Sequence, residues 1–465
     1  MSDREIRGGR RMTDVEALMW TVEKDPHLSA SIANVTVFDR LPDPDRLRRR
    51  MARALQVVPR LRQRVVPGLG RLAPPEWADD PDIDLSFHIR HLALPAPGTQ
   101  RQLLDLAALV YADPFDRTRP LWEFVLVDGL EGGRAAMIQK LHHTVTDGEG
   151  GVRMSEQFVD LARDAPEPAP VEVAVEPAPE RTLAAALADT VGHQARRAVG
   201  IGARSARELS GLARSPGRLL ATAGAVAEAA SSLARQVVVT ERARSPLWTE
   251  RSLRRRIEVL RVPLDDARRA SKGLGGSIND FFVCGAAGGA AAYHRHFGVE
   301  VDELRISMPV STRTDGSAGG NAFTPARVLV PAGIEDPVAR FSAVRERLST
   351  VKGERALNLA EGLAGVVALL PTSVLVRAAR SQVETVDFTA SNVRGAPFDL
   401  YIAGAKILAN YPIGPTAGTA FNLTLLSSAG NLDMAAHIDT AAIEDPELLR
   451  TCLETAYRDL VAAGT

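Results

Sequence analysis

Residues 28–38 carry Val, Ile and Thr in an imperfect alternation, the period of a strand with one buried face. Residues 43–58 then change to a helical period, with Pro44 where the first turn of a helix tolerates a missing N–H. Leu103 to Tyr111 predicts a second helix, Leu121 to Asp128 and Ala135 to Leu141 two strands, and Glu149 to Leu161 a helix behind them. Further on, Ile257 to Val262 and Leu304 to Val310 read as strands, Ile278 to His294 and Asp336 to Lys352 as helices, and Asp387 to Val393 and Phe421 to Leu426 as later strands. Strands alternating with helices predict an α/β fold with helices laid on the sheets.

The pattern breaks once. From Asp164 to Pro179 the composition shifts to Pro, Ala, Val and Glu with no surviving period, which reads as an extended connection. Thr182 to Val239 follows as an Ala-rich helical stretch. The break predicts two units, residues 12–165 and 251–465, joined by a linker over 166–250. Between Arg196 and Arg256 thirteen arginines face only Glu208, Glu228, Glu241 and Glu250. Such a segment is either a solvated helical crossover or a surface for anionic lipid, where each basic residue contributes about 1 kcal/mol.

Composition narrows the class. A chain of 465 residues is long enough for two cores. Its 45% hydrophobic and 24% charged content is that of an ordinary globular protein, and a net charge of -1 gives no signal for nucleic acid. Cys284 and Cys452 stand far apart, without the spacing of a zinc site or a disulfide framework, so no metal is expected. Met1 to Arg11 lacks the apolar stretch of a secretory signal. The apolar runs Phe281 to Tyr293 and Gly362 to Val376 are too short to span a bilayer, the second being broken by Pro371. A cytoplasmic protein follows, one that can still lie against the inner membrane or a lipid droplet.

The candidate chemistry lies at His142-His143-Thr144-Val145-Thr146-Asp147-Gly148, between the strand ending at Leu141 and the helix from Glu149. A strand-to-turn-to-helix junction presents side chains at the end of a sheet, where ligands reach them. A hydroxyl attacking a carbonyl must lose its proton as the bond forms, and an imidazole titrating near pH 6.5 suits that task, worth roughly 10²–10⁴-fold in rate. Of the two histidines, His143 is the expected base and His142 the structural neighbour. Asp147 is expected to anchor the turn through a cation rather than to form a His–Asp dyad, and Gly148 to permit a close turn.

At this run the sequence resembles the two-domain CoA-dependent acyltransferase superfamily with its His-His-x-x-x-Asp-Gly signature. Within it the chain is most similar to the bacterial wax ester synthase and diacylglycerol acyltransferase family. Further blocks carry the likeness in the family's order: Pro120-Leu121-Trp122-Glu123, Asn279-Asp280, Pro309-Val310-Ser311-Thr312-Arg313, Gly320-Asn321 and Ser391-Asn392-Val393-Arg394-Gly395. Met12 to Leu18 looks like the family's usual opening, which leaves residues 1–11 as a dispensable extension. Two departures stand out: the Gly-Pro after Ser-Asn-Val is here Gly395-Ala396-Pro397, and the aromatic often found near Ser427-Ser428 is absent.

The resemblance implies two chloramphenicol-acetyltransferase-like domains, each a mixed sheet flanked by helices, facing each other across a tunnel with His143 at its middle. It implies an O-acyltransferase that moves a long-chain acyl group from acyl-CoA, a co-substrate, to the hydroxyl of a fatty alcohol or diacylglycerol, with no acyl-enzyme and no cofactor. Two other readings stay open: a carrier-protein thioester or a specialised alcohol as substrate, and a catalytically silent lipid-binding protein. Asn279 is either a helix N-cap or a donor to the oxyanion, and Asp280 is structural. Trp122 either lines the tunnel or fills the core. Ser311, Arg313 and Asn392 join the substrate-binding candidates, Arg313 as the expected partner of Asp147. A sixteen-carbon chain buried at about 0.8 kcal/mol per methylene gains on the order of 12 kcal/mol, which calls for a long apolar channel. Phe281 to Ala292 and Leu363 to Val376 could line it or build the core.

Overall fold

The computed structural model describes residues 11–68, 73–146, 148–169, 242–311, 323–353 and 372–464. The first half forms α1 (Asp14–Val22), β1 (Ser31–Phe38), α2 (Pro44–Val57), β2 (Gln63–Val66), β3 (Glu76–Asp79), α3 (Leu85–His88), β4 (Ile89–Ala93), α4 (Gln100–Ala112), β5 (Trp122–Leu130), β6 (Arg134–His142), α5 (Gly148–Ser155) and β7 (Val159–Asp160). The second half forms β8 (Arg255–Pro263), α6 (Leu264–Gly273), α7 (Ile278–His296), β9 (Glu303–Ser311), β10 (Phe323–Pro331), α8 (Pro337–Gly353), α9 (Thr372–Val383), β11 (Phe388–Arg394), β12 (Tyr401–Ile402), β13 (Ala405–Ile413), β14 (Phe421–Ser428), β15 (Asn431–Asp439) and α10 (Pro446–Gly464).

Local chemistry explains several boundaries. Asp43 accepts the N–H groups of Asp45 and Arg46 at 2.9 and 3.0 Å, and Pro44 fills the first turn, so α2 starts where the sequence predicts. The helix predicted over 149–161 ends early, at Ser155. Gly148, Gly150 and Gly151 weaken α5. Phe158 then drops into the core, and Asp160 is held by Arg46 and Arg50 at 3.1 and 2.8 Å.

Two mixed sheets form the frame. The first runs β4-β5-β6-β1-β13-β12-β7 and the second β10-β9-β11-β14-β15-β8. In the first, β4 and β5 are parallel and the remaining pairs antiparallel; in the second, β9, β11 and β14 are parallel. Helices flank both sheets. The α7 segment Phe281 to Ala291 is core rather than channel wall, since every residue in it is buried. Its glycines let α10 approach: a methyl group at Gly285 would lie 2.1 Å from the Tyr457 ring, and one at Gly289 would lie 2.7 Å from Leu453.

The expected domain boundaries need three corrections. Strands β12 and β13, read with the second unit, hydrogen-bond into the first sheet, with β13 beside β1 over Ala33 to Phe38. Residues 242–250, read as linker, belong to the second unit: Trp248 is buried in its core, and Ser245 bonds Asp387 and His294 at 2.7 Å each. Arg11, read as extension, bridges Glu76 through its backbone and pairs with it at 3.0 Å. Residues 1–10 and the Ala-rich stretch over 170–241 lie outside the described residues. Of the basic segment, Arg251, Arg255 and Arg256 are engaged internally with Gly418, Asp439, Glu258 and Glu447.

The crossing strand welds the halves. Asn410 of β13 accepts hydrogen bonds from Thr36 and Asn34 at 2.8 and 3.1 Å, and its N–H donates to Asp433 of β15 at 2.8 Å. Burial pushes the Asp433 carboxyl up, and Arg261 at 2.6 Å works against that. Around this network Ala33, Val35, Tyr411 and Ile413 share one core with Ile257 and Ala435. No helix among the described residues is long and apolar enough to cross a membrane.

Candidate active site

Strand β6 carries the motif out of the first sheet. Its last residue, His142, lies opposite Ser31 of β1, and the chain then turns through His143 to Val145, with Val145 N–H donating to the His142 carbonyl at 2.9 Å. His143 N–H donates to the Ala30 carbonyl at 2.9 Å, which fixes its backbone just beyond the strand. Gly148 is the first residue of α5 rather than part of the turn. Asp147 and Arg313 lie outside the described residues, and so does their expected pairing.

His142 and His143 differ in surroundings. His142 is buried, with its ring edge-on to Trp20 and Phe115. Its Nδ1 accepts the Thr144 N–H at 3.1 Å and lies 2.7 Å from the Thr144 hydroxyl. A backbone N–H only donates, so the neutral ring carries its proton on Nε2, aimed at Glu23 Oε2 at 2.8 Å. Both nitrogens of His142 are thereby engaged. The His143 side chain is partly exposed.

Glu23 is the site residue that sequence reasoning missed. It closes α1 as the C-cap residue, and its carboxylate also accepts from Arg117 at 2.9 Å, from the Ser29 hydroxyl at 3.1 Å and from Ala30 N–H at 3.2 Å. Burial raises its pKa, but the His142 hydrogen bond and the charge of Arg117 outweigh this and hold the carboxyl below the usual range. Its position 119 residues before His142 left no local signal; the one clue is an acid at a helix C-terminus, where the dipole disfavours it.

The second half brings its own motif residues to the same region. Helix α5 packs near β11, and Asn392 of β11 donates to Asn279 Oδ1 at 3.4 Å. Asn279 is not the N-cap of α7. That place belongs to Ser277, which forms a capping box with Asp280. Ser311 ends β9 at the same edge of the sheet as the end of parallel β11; its side chain lies outside the described residues. Gly395 closes β11 pressed against Ser427, whose carbonyl accepts its N–H at 2.9 Å, and a methyl group there would sit 2.7 Å from that oxygen.

Of the two readings of Trp122, the structure supports the core one. The residue is 0% exposed, its indole N–H donates to the Leu61 carbonyl at 2.7 Å, and His88 stacks on it at 4.5 Å. The ring is fully packed inside the first core and touches no open channel among the described residues.

Two mixed sheets flanked by helices, with the His142–Gly148 run at the end of one strand of the first, define an α/β protein. The whole fold has solved counterparts. A wax ester synthase/diacylglycerol acyltransferase from Marinobacter aquaeolei VT8 superposes with a TM-score of 0.64 at 20% identity, covering 98% of this chain and 100% of that one. The first condensation domain of the calcium-dependent antibiotic synthetase gives 0.59 at 17%, covering 99% and 97%. At such identities the likeness concerns the fold alone. In sequence, the wax ester synthase/diacylglycerol acyltransferase catalytic domain matches residues 12–282, and the C-terminal domain of the same family matches 319–461. A Mycobacterium tuberculosis protein assigned as a diacylglycerol O-acyltransferase is 38% identical over 453 residues, 96% of this chain and 91% of its own. Another of that organism, with the same assignment, is 28% identical over 479 residues, 98% of each chain. The chain belongs to the wax ester synthase/diacylglycerol acyltransferase family, and it is an acyltransferase.

Proposed function

We propose that this acyltransferase moves a long-chain acyl group from acyl-CoA directly to the hydroxyl of diacylglycerol or a fatty alcohol, with His143 as general base. The observation that carries the reading is the approach of motif segments: α5, which follows the His142–Gly148 run, packs near β11, whose Asn392 donates to Asn279 at the start of α7. His143 takes the acceptor's proton as its oxygen attacks the thioester carbonyl. The tetrahedral intermediate collapses, the C–S bond breaks, and the proton passes from His143 to the departing thiolate. Atoms balance without a covalent enzyme intermediate.

Asn279 and Asn392 are the side chains suited to the developing oxyanion. With its Oδ1 accepting from Asn392, Asn279 has its NH₂ to give, and one such donor is worth roughly 10²–10³-fold. Both substrates are lipids, so the protein works at a membrane or droplet surface. Because Arg251, Arg255 and Arg256 are engaged internally, any lipid attraction falls to the other arginines of the segment.

The test is a purified protein given palmitoyl-CoA with diolein or hexadecanol and a thiol reagent. CoA release should require the acceptor, yield the ester, and fall roughly 10²–10⁴-fold in His143→Ala with the fold intact. Undiminished turnover in that variant would remove the base role, and absence of release with either acceptor would remove the substrate assignment.

A further inference from the structure

We infer that Glu23 is a positioning residue for His143, acting through both of the segments that hold the catalytic turn. The inference rests on the reading of His143 as the base. One carboxylate oxygen, Oε2, receives His142 Nε2–H at 2.8 Å and Arg117 at 2.9 Å. The other, Oε1, receives the Ser29 hydroxyl and Ala30 N–H at 3.1 and 3.2 Å. Ala30 in turn supplies the carbonyl that accepts His143 N–H at 2.9 Å. The same carboxylate thus pins the residue before His143 and the strand entry across from it.

Its placement costs stability in two ways. Glu23 ends α1, where the dipole disfavours a negative charge, and its side chain is only 14% exposed. Helix termination alone requires neither an acid nor its burial. Arg117, which lies over Trp20 at 4.0 Å, answers the charge, and Trp20 meets the His142 ring edge-on, so carboxylate, guanidinium and both rings form one packed unit.

The amide of Glu23→Gln turns this unit against itself. If its oxygen stays on Ala30 and Ser29, its NH₂ faces two donors, His142 Nε2–H and Arg117. Moving the His142 proton to Nδ1 would set it against Thr144 N–H at 3.1 Å. Either way the turn must shift, and displacement of a reacting group by about 1 Å costs on the order of 10²-fold.

The experiment measures acyl transfer from palmitoyl-CoA at saturating acceptor in the full-length protein, with thermal melts alongside. Glu23→Gln is expected to lower kcat roughly 10- to 100-fold with the KM for palmitoyl-CoA unchanged. Glu23→Asp keeps the charge one methylene further back and should fall between the two. In a His143→Ala background, Glu23→Gln should slow the residual rate no further, because there is no base left to position. Wild-type kcat in Glu23→Gln, or an equal further loss in the double variant, overturns the proposal while leaving the base reading intact. A fully active His143→Ala overturns both. Should Glu23→Gln fail to fold, wild-type kcat in Glu23→Asp overturns it.

Discussion

Replacing Trp122 by Phe separates a tunnel-lining ring from a core ring. The substitution removes the indole N–H that reaches the Leu61 carbonyl at 2.7 Å in a buried setting. Leaving that acceptor unpaired costs about 1–3 kcal/mol. About 40 Å³ of lost ring volume, at about 24 cal/mol per Å³, adds about 1 kcal/mol. His88, stacked at 4.5 Å with Nδ1 2.7 Å from the Trp122 carbonyl, holds the pocket's shape against collapse. The sum is about 2–4 kcal/mol, which for a unit near 200 residues lowers the melting midpoint by about 2–4 °C per kcal/mol. Thermal melts followed by fluorescence give the midpoint, and acyl transfer measured well below it gives the KM for acyl-CoA, which should not change. An unchanged midpoint with a raised KM would return Trp122 to the substrate channel.

Two further outcomes follow from packing and charge. Gly285→Ala would place a methyl group 2.1 Å from the ring of Tyr457, whose hydroxyl is tied to the Phe282 carbonyl at 2.8 Å. Overpacking of about 1–3 kcal/mol should exceed the helix propensity gained, and urea denaturation showing a more stable variant would refute the contact. Arg380 hydrogen bonds hold the Asp25 carboxyl below the usual range, tying the loop after α1 to α9, with Glu384 nearby. A depressed pKa means the tie is complete above the unfolded value near 3.9 and lost as pH falls through the folded one. Hydrogen exchange in residues 372–383 should therefore quicken, relative to the intrinsic rate, below about pH 4 in the wild type, while Asp25→Asn is loose throughout; matching profiles would refute it.

The elements that local pattern alone reveals are those whose cause is local. Asp43 and Pro44 start α2 by chemistry within three residues, and the imperfect alternation of β1 needs only a sheet with a buried face. The motif and its flanking blocks likewise identified the family and its reaction from residue types in order. Where the reading ran too far, as in the helix drawn to Leu161, the override came from distance: Phe158 entering the core and Asp160 meeting Arg46 and Arg50.

What the chain by itself determined was the alternation of strands and helices, the motif at the end of β6 and the family it marks. The tertiary structure alone decided which sheet β13 joins, that Trp122 is core, that Ser277 rather than Asn279 caps α7, and that Glu23 supports the turn. The reason is physical. Periodicity and caps are set by neighbours a few residues away, whereas the partner of a strand edge, the burial of a ring and the answer to a buried carboxylate depend on which distant segments pack together. Glu23 and His142 stand 119 residues apart and become 2.8 Å neighbours only when α1 docks against the end of β6.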